Sequence, residues 1–111
     1  MERTLKEQRR LNRECGIVER FVHNRHVPQR SDLFGIFDVL AMSPQDGIIG
    51  VQCCGSDFAS HYRKITVEKK EVALKWLQSG GKIEIWGWRK LKSNRNRFAP
   101  RVVIITEEML G

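Results

Sequence analysis

The feature that most constrains the fold is a pair of apolar runs separated by a turn signal. Residues 34–42 (FGIFDVLAM) and 48–54 (IIGVQCC) are rich in residues that favour strands, and the first run is apolar on both faces, as in a buried strand. Between them lie residues 43–47 (SPQDG), in which the proline presets one backbone dihedral and Asp-Gly accepts a tight corner. This pattern predicts an antiparallel hairpin in the interior of a sheet.

The flanking segments predict a single α/β domain, residues 1–111, in which helices flank a mixed sheet. Helices are predicted at residues 2–13 and 56–78, the first stopped by Gly16 and the second by Gly80 and Gly81. The further predicted strands are residues 17–22, 82–88 and 101–106, with a loop at residues 23–31. The predicted element order is α-β-β-β-α-β-β.

Length and composition exclude several classes of protein. A chain of 111 residues suits one compact domain. It contains no apolar run near the roughly 20 residues that a membrane helix needs, and its first residues lack the apolar segment of a secretory signal. Three cysteines without a Cys-x-x-Cys pair favour a reducing compartment. We therefore expect a cytoplasmic protein without a membrane partner.

The charges favour a polyanionic partner and are unevenly distributed. The net charge is +7, and an excess of this size is typical of nucleic-acid-binding proteins. Residues 31–62 carry no Lys or Arg but four Asp, whereas residues 1–30 carry eight basic side chains and residues 63–111 carry twelve. An acidic centre between basic flanks is what a metal site held against a phosphate backbone requires.

Two polar residues interrupt the predicted hairpin. Asp38 has only apolar neighbours in its run, where a carboxylate is costly unless it is paired or binds a cation. Gln52 is the polar residue of the second run, and the two side chains would converge if both strands of the hairpin end together. The structural alternatives are that Asp38 caps a turn or pairs with an arginine, and that Gln52 is a hydrogen-bonded amide of the core.

Together these segments resemble a known family. The chain carries RSDLFGIFDVLAM, GIIGVQCCG and HYRKI in this order, followed by W-x-x-x-G-G-K-I-E-I-W-G-W-R-K. With the predicted element order, this resembles the PD-(D/E)XK nuclease superfamily, and its small Holliday-junction-resolvase-like and phage-encoded members in particular. The likeness covers nearly the whole chain. It implies a restriction-endonuclease-like core and a homodimer in the cytoplasm of a bacterium or a phage-infected cell. It also implies a DNA endonuclease that acts on branched or structured DNA. The enzyme would depend on Mg²⁺ or Mn²⁺ and would use no organic cofactor.

The resemblance also implies roles for individual residues. Asp38 matches the metal-binding aspartate, Gln52 occupies the place of the second acidic ligand, and Cys54 occupies the place of the lysine. Gln52 can bind a metal through its carbonyl oxygen but brings no charge, and Cys54 brings no cation. Lys64 is the predicted replacement for the lysine. Glu19 is the predicted additional carboxylate, with Glu7 as the alternative.

Basic residues near the C-terminus are predicted to bind DNA. The segment from residue 89 to 101 contains no acid and is predicted to form an extended hairpin loop that follows a phosphate backbone. A flexible solvated loop is the alternative. The predicted DNA contacts are Arg63, Arg89, Lys90, Lys92, Arg95, Arg97 and Arg101. Trp86 and Trp88 share a strand face, where aromatic residues usually belong to the core, although base stacking or a dimer interface would also use them.

The sequence also offers alternative sites and alternative functions. Zinc bound by Cys15, His23, His26, Cys53 and Cys54 is disfavoured, because adjacent strand cysteines point to opposite faces. Nothing in the sequence supports a Cys54–His61 nucleophile pair beyond the residue types. The alternative functions are a nucleic-acid-binding module of the same fold that has lost catalysis, which the Gln52 and Cys54 departures favour, and a basic phage assembly protein.

Overall fold

The computed structural model describes residues 1–23, 28–94 and 96–111, and the side chains of residues 21–30 are not described. Arg95, a predicted DNA contact, and His26, a zinc candidate, lie outside the described residues, as does the side chain of His23. The helices are α1 (Glu2–Arg10), α2 (Phe58–Arg63), a π-helical segment (Lys64–Glu68), α3 (Lys70–Gln78) and a final 3₁₀ turn (Glu107–Leu110). The strands are β1 (Glu14–Ile17), β2 (Arg20–His23), β3 (Pro28–Ser31), β4 (Val39–Ser43), β5 (Gly47–Cys54), β6 (Lys82–Lys90) and β7 (Phe98–Ile105).

The fold is α/β, with a five-stranded mixed sheet flanked by helices. The strand order is β1-β4-β5-β6-β7, in which only β5 and β6 pair in parallel. The predicted hairpin is confirmed as the β4–β5 pair, with Ser43 opposite Gly47. Gly47 has φ +79°, a left-handed conformation that glycine adopts without a steric cost. The parallel β5–β6 pair requires a crossover, which α2, the π-helical segment and α3 provide.

Several predicted boundaries are wrong. The first helix ends at Arg10 and not near Gly16. Asn12, at φ +62°, adopts the left-handed conformation that ends the helix, and Gly16 lies in β1. Residues 17–22 do not form one strand, since β1 ends at Ile17 and β2 begins at Arg20. The loop predicted at residues 23–31 contains β3, which pairs with β2 in a separate two-stranded sheet. Short polar strands of this kind carry no apolar alternation for sequence analysis to detect.

The strand predicted from residue 34 begins only at Val39. Phe34 and Gly35 both have positive φ, 56° and 76°, and form a turn closed by the bridge between Leu33 and Phe37. Asp38 therefore lies at the entrance of β4, where its backbone N–H still donates to the carbonyl oxygen of Val51 at 2.9 Å. The helix predicted at residues 56–78 begins at Phe58 and is divided into α2, the π-helical segment and α3. Its predicted end is confirmed, since α3 ends before Gly80, at φ +97°.

Each face of the sheet has its own apolar core. Phe37, Ile65, Ile83 and Ile85 pack beneath α2 and α3 with further residues of the same cluster. On the opposite face α1 covers Val39, Val51 and Trp86 among others. Trp86 is buried, so the core interpretation of this residue is confirmed.

A buried ion pair fixes the α1 face. The guanidinium of Arg13 binds both carboxylate oxygens of Glu84, at 2.9 and 3.1 Å, and also contacts Asp46 at 3.0 Å. These contacts tie the segment after α1 to β6 and to the β4–β5 turn. No helix of the described segments is long and apolar enough to cross a membrane.

Candidate metal centre and nucleic-acid cleft

The β2–β3 hairpin brings two carboxylates together at its base. Glu19 immediately precedes β2, Asp32 immediately follows β3, and the first residue of β2, Arg20, pairs with the last of β3, Ser31. The backbone N–H of Glu19 donates to the carbonyl oxygen of Asp38 at 3.2 Å. The hairpin therefore closes the chain between residues 19 and 32 next to the entrance of β4.

Glu19, Asp32 and Asp38 form an acidic cluster, which we call the acid triad. Each offers a carboxylate oxygen, and these three oxygens lie within 4.8 Å of one another. Asp38 is buried and the other two are half-buried. Burial, a hydrogen bond with Asp32 and the charges of Asp32 and Glu19 raise the pKa of Asp38 to about 7. A cation placed between the three groups would relieve this repulsion.

Gln52 contacts the acid triad from β5. Its amide nitrogen donates to Oδ2 of Asp38 at 2.6 Å, and the backbone N–H of Cys53 donates to the same oxygen at 2.9 Å. Gln52 is 2% exposed, and its carbonyl oxygen Oε1 has no hydrogen-bond partner among the described residues. A buried acceptor without a partner costs free energy, and a metal ion, a water molecule or a donor from a ligand would satisfy it.

Lys64 reaches the same cluster from the helical side. It is the first residue of the π-helical segment, and its Nζ lies 3.2 Å from Oδ2 of Asp32 in a partly buried ion pair. The structure thus brings together Asp38, Gln52, Glu19 and Lys64, all four of the residues predicted as catalytic. It adds Asp32, a fifth residue that was not among the predicted site residues. The only sequence feature that points to Asp32 is its position in the acidic centre of the chain, because its proximity to Glu19 depends on the β2–β3 hairpin.

Glu7 does not belong to this cluster. It forms an ion pair with Arg10 at 2.7 Å within α1. Of the two predicted carboxylates, Glu19 is accordingly the one that belongs to the acid triad.

Cys54 lies where the resemblance implies a lysine. Burial raises the pKa values of both Cys53 and Cys54 to about 11, so both thiols are neutral at physiological pH. The nucleophilic form of a cysteine is the thiolate, and His61 is engaged with Asp57 at 2.9 Å. The Cys54–His61 nucleophile is therefore disfavoured. Within the described residues, the acid triad is the one group of three or more candidate metal ligands, and none of its members is a cysteine or histidine.

An open cleft of about 490 Å³ surrounds the carboxyl end of β5. Its lining includes the acid triad, Gln52 and Cys54. It also includes Trp88 and Phe98, which contact Thr4 and Arg3 of α1, and Arg3 itself. The cleft therefore joins an acidic surface to a basic and aromatic one.

The basic hairpin differs in extent from its prediction. The strands β6 and β7 continue to Lys90 and from Phe98, so the loop is only residues 91–97, closed by a 2.9 Å bond from the N–H of Leu91 to the carbonyl of Arg97. The basic side chains of this region that the structure describes are all exposed: Arg89, Lys90, Lys92, Arg97 and Arg101. Arg63, at the end of α2, is exposed as well.

Arg101 lies within β7 rather than in a loop. Its guanidinium carbon is 4.1 Å from the ring centroid of Phe58, and its backbone pairs with Gly87, which in turn pairs with Cys54. A side chain at Gly87 would collide with Phe58, whose ring atom Cδ2 lies 2.6 Å from the position of an added Cβ. Gly87 therefore leaves room for the Phe58 ring beside Cys54.

Comparison of the chain with protein-family models, with curated proteins and with solved structures finds no match.

Proposed function

We propose that the chain is a divalent-metal-dependent endonuclease that hydrolyses phosphodiester bonds in branched or structured DNA, with Mg²⁺ or Mn²⁺ as its metal. The observation that carries this proposal is the acid triad, with Lys64 in contact with it at the open end of β5. Carboxylates that share one small volume are costly unless they share a cation or a proton. A lysine beside such a cluster supplies the positive charge that phosphoryl chemistry uses.

The order of elements supports a restriction-endonuclease-like core. Without the separate β2–β3 hairpin, the chain runs from α1 through β1, β4 and β5, then through the helical crossover to β6 and β7. With the hairpin left out and the helical crossover counted as one element, this order is compatible with the α-β-β-β-α-β-β order that the resemblance implies. In it Asp38 lies at the entrance of the second sheet strand, β4, and Gln52 lies near the end of the third, β5, where the resemblance expects the metal ligands.

The donor set fits a hard divalent cation. Mg²⁺ and Mn²⁺ prefer oxygen ligands, and Mg²⁺ needs only one or two carboxylates because water and substrate oxygens complete its shell. Glu19, Asp32 and Asp38 would hold the ion, and rotation of the Gln52 amide would turn its carbonyl oxygen toward the same position. Cysteine and histidine ligands, which zinc prefers, are not part of the triad.

Each residue then has a defined task in the hydrolysis. When bound, the metal ion would polarise the scissile phosphate and lower the pKa of a water molecule. Lys64 would donate a hydrogen bond from Nζ to a phosphate oxygen as its negative charge grows. Gln52 and the N–H of Cys53 hold the carboxylate of Asp38 in one orientation in this structure, and the N–H of Cys53 would still hold it if the Gln52 carbonyl turned toward the ion. In the reaction the water oxygen bonds to phosphorus and gives up a proton to solvent, while the P–O ester bond breaks and the leaving oxygen takes up a proton from solvent, giving one phosphomonoester and one hydroxyl end.

The exposed cations would hold the rest of the DNA. Lys90, Lys92 and Arg97 form a basic end to the β6–β7 hairpin, and its first β7 residue, Phe98, lines the cleft. Such contacts position a duplex without reading its sequence. The homodimer that the resemblance implies would place two clefts on one branched molecule, and light scattering of the purified chain would measure it.

Nicking of a labelled four-way junction tests the proposal. We expect cleavage in Mg²⁺ and none in EDTA, with Asp32→Asn inactive because it removes a metal ligand. Glu68→Gln is the matched control, since it removes an exposed carboxylate outside the triad. Cleavage in EDTA, or full activity of Asp32→Asn, would overturn the proposal.

A second function follows from the same site. The neutral side chains of Gln52 and Cys54, and the neutralisation of Asp32 by Lys64, favour a DNA-binding module that has lost catalysis. Salt-sensitive junction binding without Mg²⁺-dependent nicking would identify this module. Absence of any salt-sensitive binding would leave the basic assembly protein as the alternative.

A further inference from the structure

The cleft has a second wall whose chemistry differs from that of the acid triad. Arg3, Trp88 and Phe98 line it on the α1 side of the β5 end, and we call these three residues the stacking wall. The guanidinium carbon of Arg3 lies 3.8 Å from the ring centroid of Phe98. This wall therefore presents a cation supported by an aromatic ring rather than by a carboxylate.

The two rings of the stacking wall are half-buried. The indole N–H of Trp88 donates to Oγ1 of Thr4 at 2.8 Å, and Thr4 is a fully buried residue of α1. The Trp88 ring consequently has one orientation, with its polar edge already satisfied and part of its apolar surface facing the cleft. Ordered aromatic rings that are partly open to solvent are the platforms on which unpaired bases stack.

The geometry points to an unpaired nucleotide as the occupant of this wall, bound next to the phosphate that faces the acid triad. This inference rests on the proposed function, because the acid triad defines where the reacting phosphate lies. The cleft volume of about 490 Å³ lies within the range of sites that enclose small ligands. A base that is paired in a duplex cannot leave its partner to stack here without losing its pairing energy. The favoured substrate is therefore DNA with unpaired nucleotides beside the cleavage site, such as a flap, a frayed end or an open junction.

The basic hairpin extends directly from the stacking wall. Phe98 pairs with Lys90, and the loop between them carries the exposed side chains of Lys92 and Arg97. The segment of the hairpin that a single strand would follow in this direction, residues 89–101, contains no acidic residue. Electrostatic tracking of a backbone combined with base stacking is how proteins bind single strands with little sequence preference.

Binding of oligonucleotides that contain 2-aminopurine tests the inference without requiring cleavage. The probes are a single strand, a flap with the 2-aminopurine unpaired, a duplex with it paired, and an RNA strand of the same sequence. The protein is the full chain carrying Asp38→Asn, in EDTA. We expect the unpaired probes to bind more tightly than the duplex and their fluorescence to be quenched on binding, because quenching reports stacking.

Substitutions in the stacking wall test whether its residues cause the tighter binding of unpaired probes. Phe98→Leu, which keeps an apolar side chain but removes the ring, is expected to weaken single-strand binding roughly 5- to 100-fold, the range that base–aromatic stacking supports. Arg3→Gln should also weaken single-strand binding. Arg9→Gln is the matched control, because it removes an exposed cation from the same helix away from the cleft.

Equal binding of the paired and unpaired probes, or single-strand binding by Phe98→Leu equal to that of the parent, would overturn the inference. Tighter binding of RNA than of DNA by more than tenfold would also overturn it, by assigning the wall to another nucleic acid. If the protein stacks the probes but never nicks DNA, the proposed nuclease activity is wrong and the nucleotide site still stands. If the protein nicks a fully paired duplex as fast as a flap, the nuclease activity stands and the nucleotide site is wrong.

Discussion

Gln52 donates a 2.6 Å hydrogen bond to Oδ2 of Asp38 from the neighbouring strand of the β4–β5 pair. A neutral amide at this position avoids placing a fourth carboxylate beside the acid triad, whose members already repel one another. The resemblance to PD-(D/E)XK nucleases implies an acid at this place. Compared with an acid, the amide would weaken binding of the proposed metal ion and would stabilise the metal-free fold.

Gln52→Glu is expected to tighten Mn²⁺ binding and to lower the melting temperature of the metal-free protein at pH 8, since it adds a charged ligand and a further repulsion. Calorimetric titration and thermal denaturation in EDTA measure the two effects. Gln45→Glu, in the exposed β4–β5 turn, adds the same charge away from the site and should change neither. Equal Mn²⁺ affinity for the two variants would contradict the assignment of Gln52 to the metal site.

Asp38 predicts a pH dependence of stability with a defined sign. Its pKa is about 7 in the fold and near 3.8 in the unfolded chain, so ionisation favours unfolding. The contribution of this carboxyl to stability is present below about pH 4, declines as the pH rises to about 7, and is lost above that. Asp38→Asn removes this ionisation and should therefore raise the melting temperature in EDTA at pH 8.

A carboxylate with the opposite shift provides the comparison. A hydrogen bond from Arg13 holds the pKa of Asp46 below its usual value of 3.8. Asp46 therefore stabilises the fold at pH values above 3.8, and this contribution is lost as the pH falls through the folded pKa. Asp46→Asn should accordingly lower the melting temperature at pH 7 and matter less in acid. If Asp38→Asn also lowers the melting temperature at pH 8 in EDTA, the burial of an ionised Asp38 is not costly and this account of the triad is wrong.

Lys64 should matter for cleavage more than for stability. Lys64→Ala is expected to slow junction nicking by about 10²-fold, as loss of one transition-state donor does. It should also tighten Mn²⁺ binding, because Asp32 loses its cationic partner. Lys75→Ala, an exposed position on α3, is the control. Adding Cys54→Lys to the Lys64→Ala variant should restore part of the nicking rate. If the wild type is active and Lys64→Ala nicks at the same rate, Lys64 is only an ion-pair partner.

The basic hairpin predicts a strong salt dependence of DNA binding. Lys92→Gln combined with Arg97→Gln should reduce the slope of log affinity against log salt by roughly two, because each phosphate contact contributes about 0.9. Fluorescence anisotropy between about 50 and 200 mM salt measures the slope. Lys75→Gln with Lys82→Gln removes the same charge elsewhere. A slope that is equal for the two double variants would contradict a specific role for the hairpin.

Local sequence patterns predicted the parts of the fold that depend on local chemistry. The turn at residues 43–47 and the helical period after residue 56 each have a physical cause within a few residues, and both predictions are confirmed. The convergence of Asp38 with Gln52 followed from strand pairing once the hairpin was recognised.

The rest of the site depends on tertiary structure. The β2–β3 hairpin has short strands with little apolar alternation, and without it the proximity of Glu19 to Asp32 is invisible in the sequence. Likewise, Thr4 and Trp88 are 84 residues apart in sequence, and Arg3 and Phe98 are further apart still, so the stacking wall exists only because α1 meets β6 and β7 in the fold.

The most direct test of the central claim, that the acid triad binds a divalent cation, is a crystal soaked with Mn²⁺ and measured at a wavelength where manganese scatters anomalously. The account predicts one anomalous peak with oxygens of Glu19, Asp32 and Asp38 at roughly 2.0–2.6 Å, the range of oxygen ligands around hard divalent ions. Asp38→Asn crystals in the same soak should show no peak there. A wild-type crystal with no peak between these three carboxylates, or with its strongest peak at Asp57 and His61, would contradict the account.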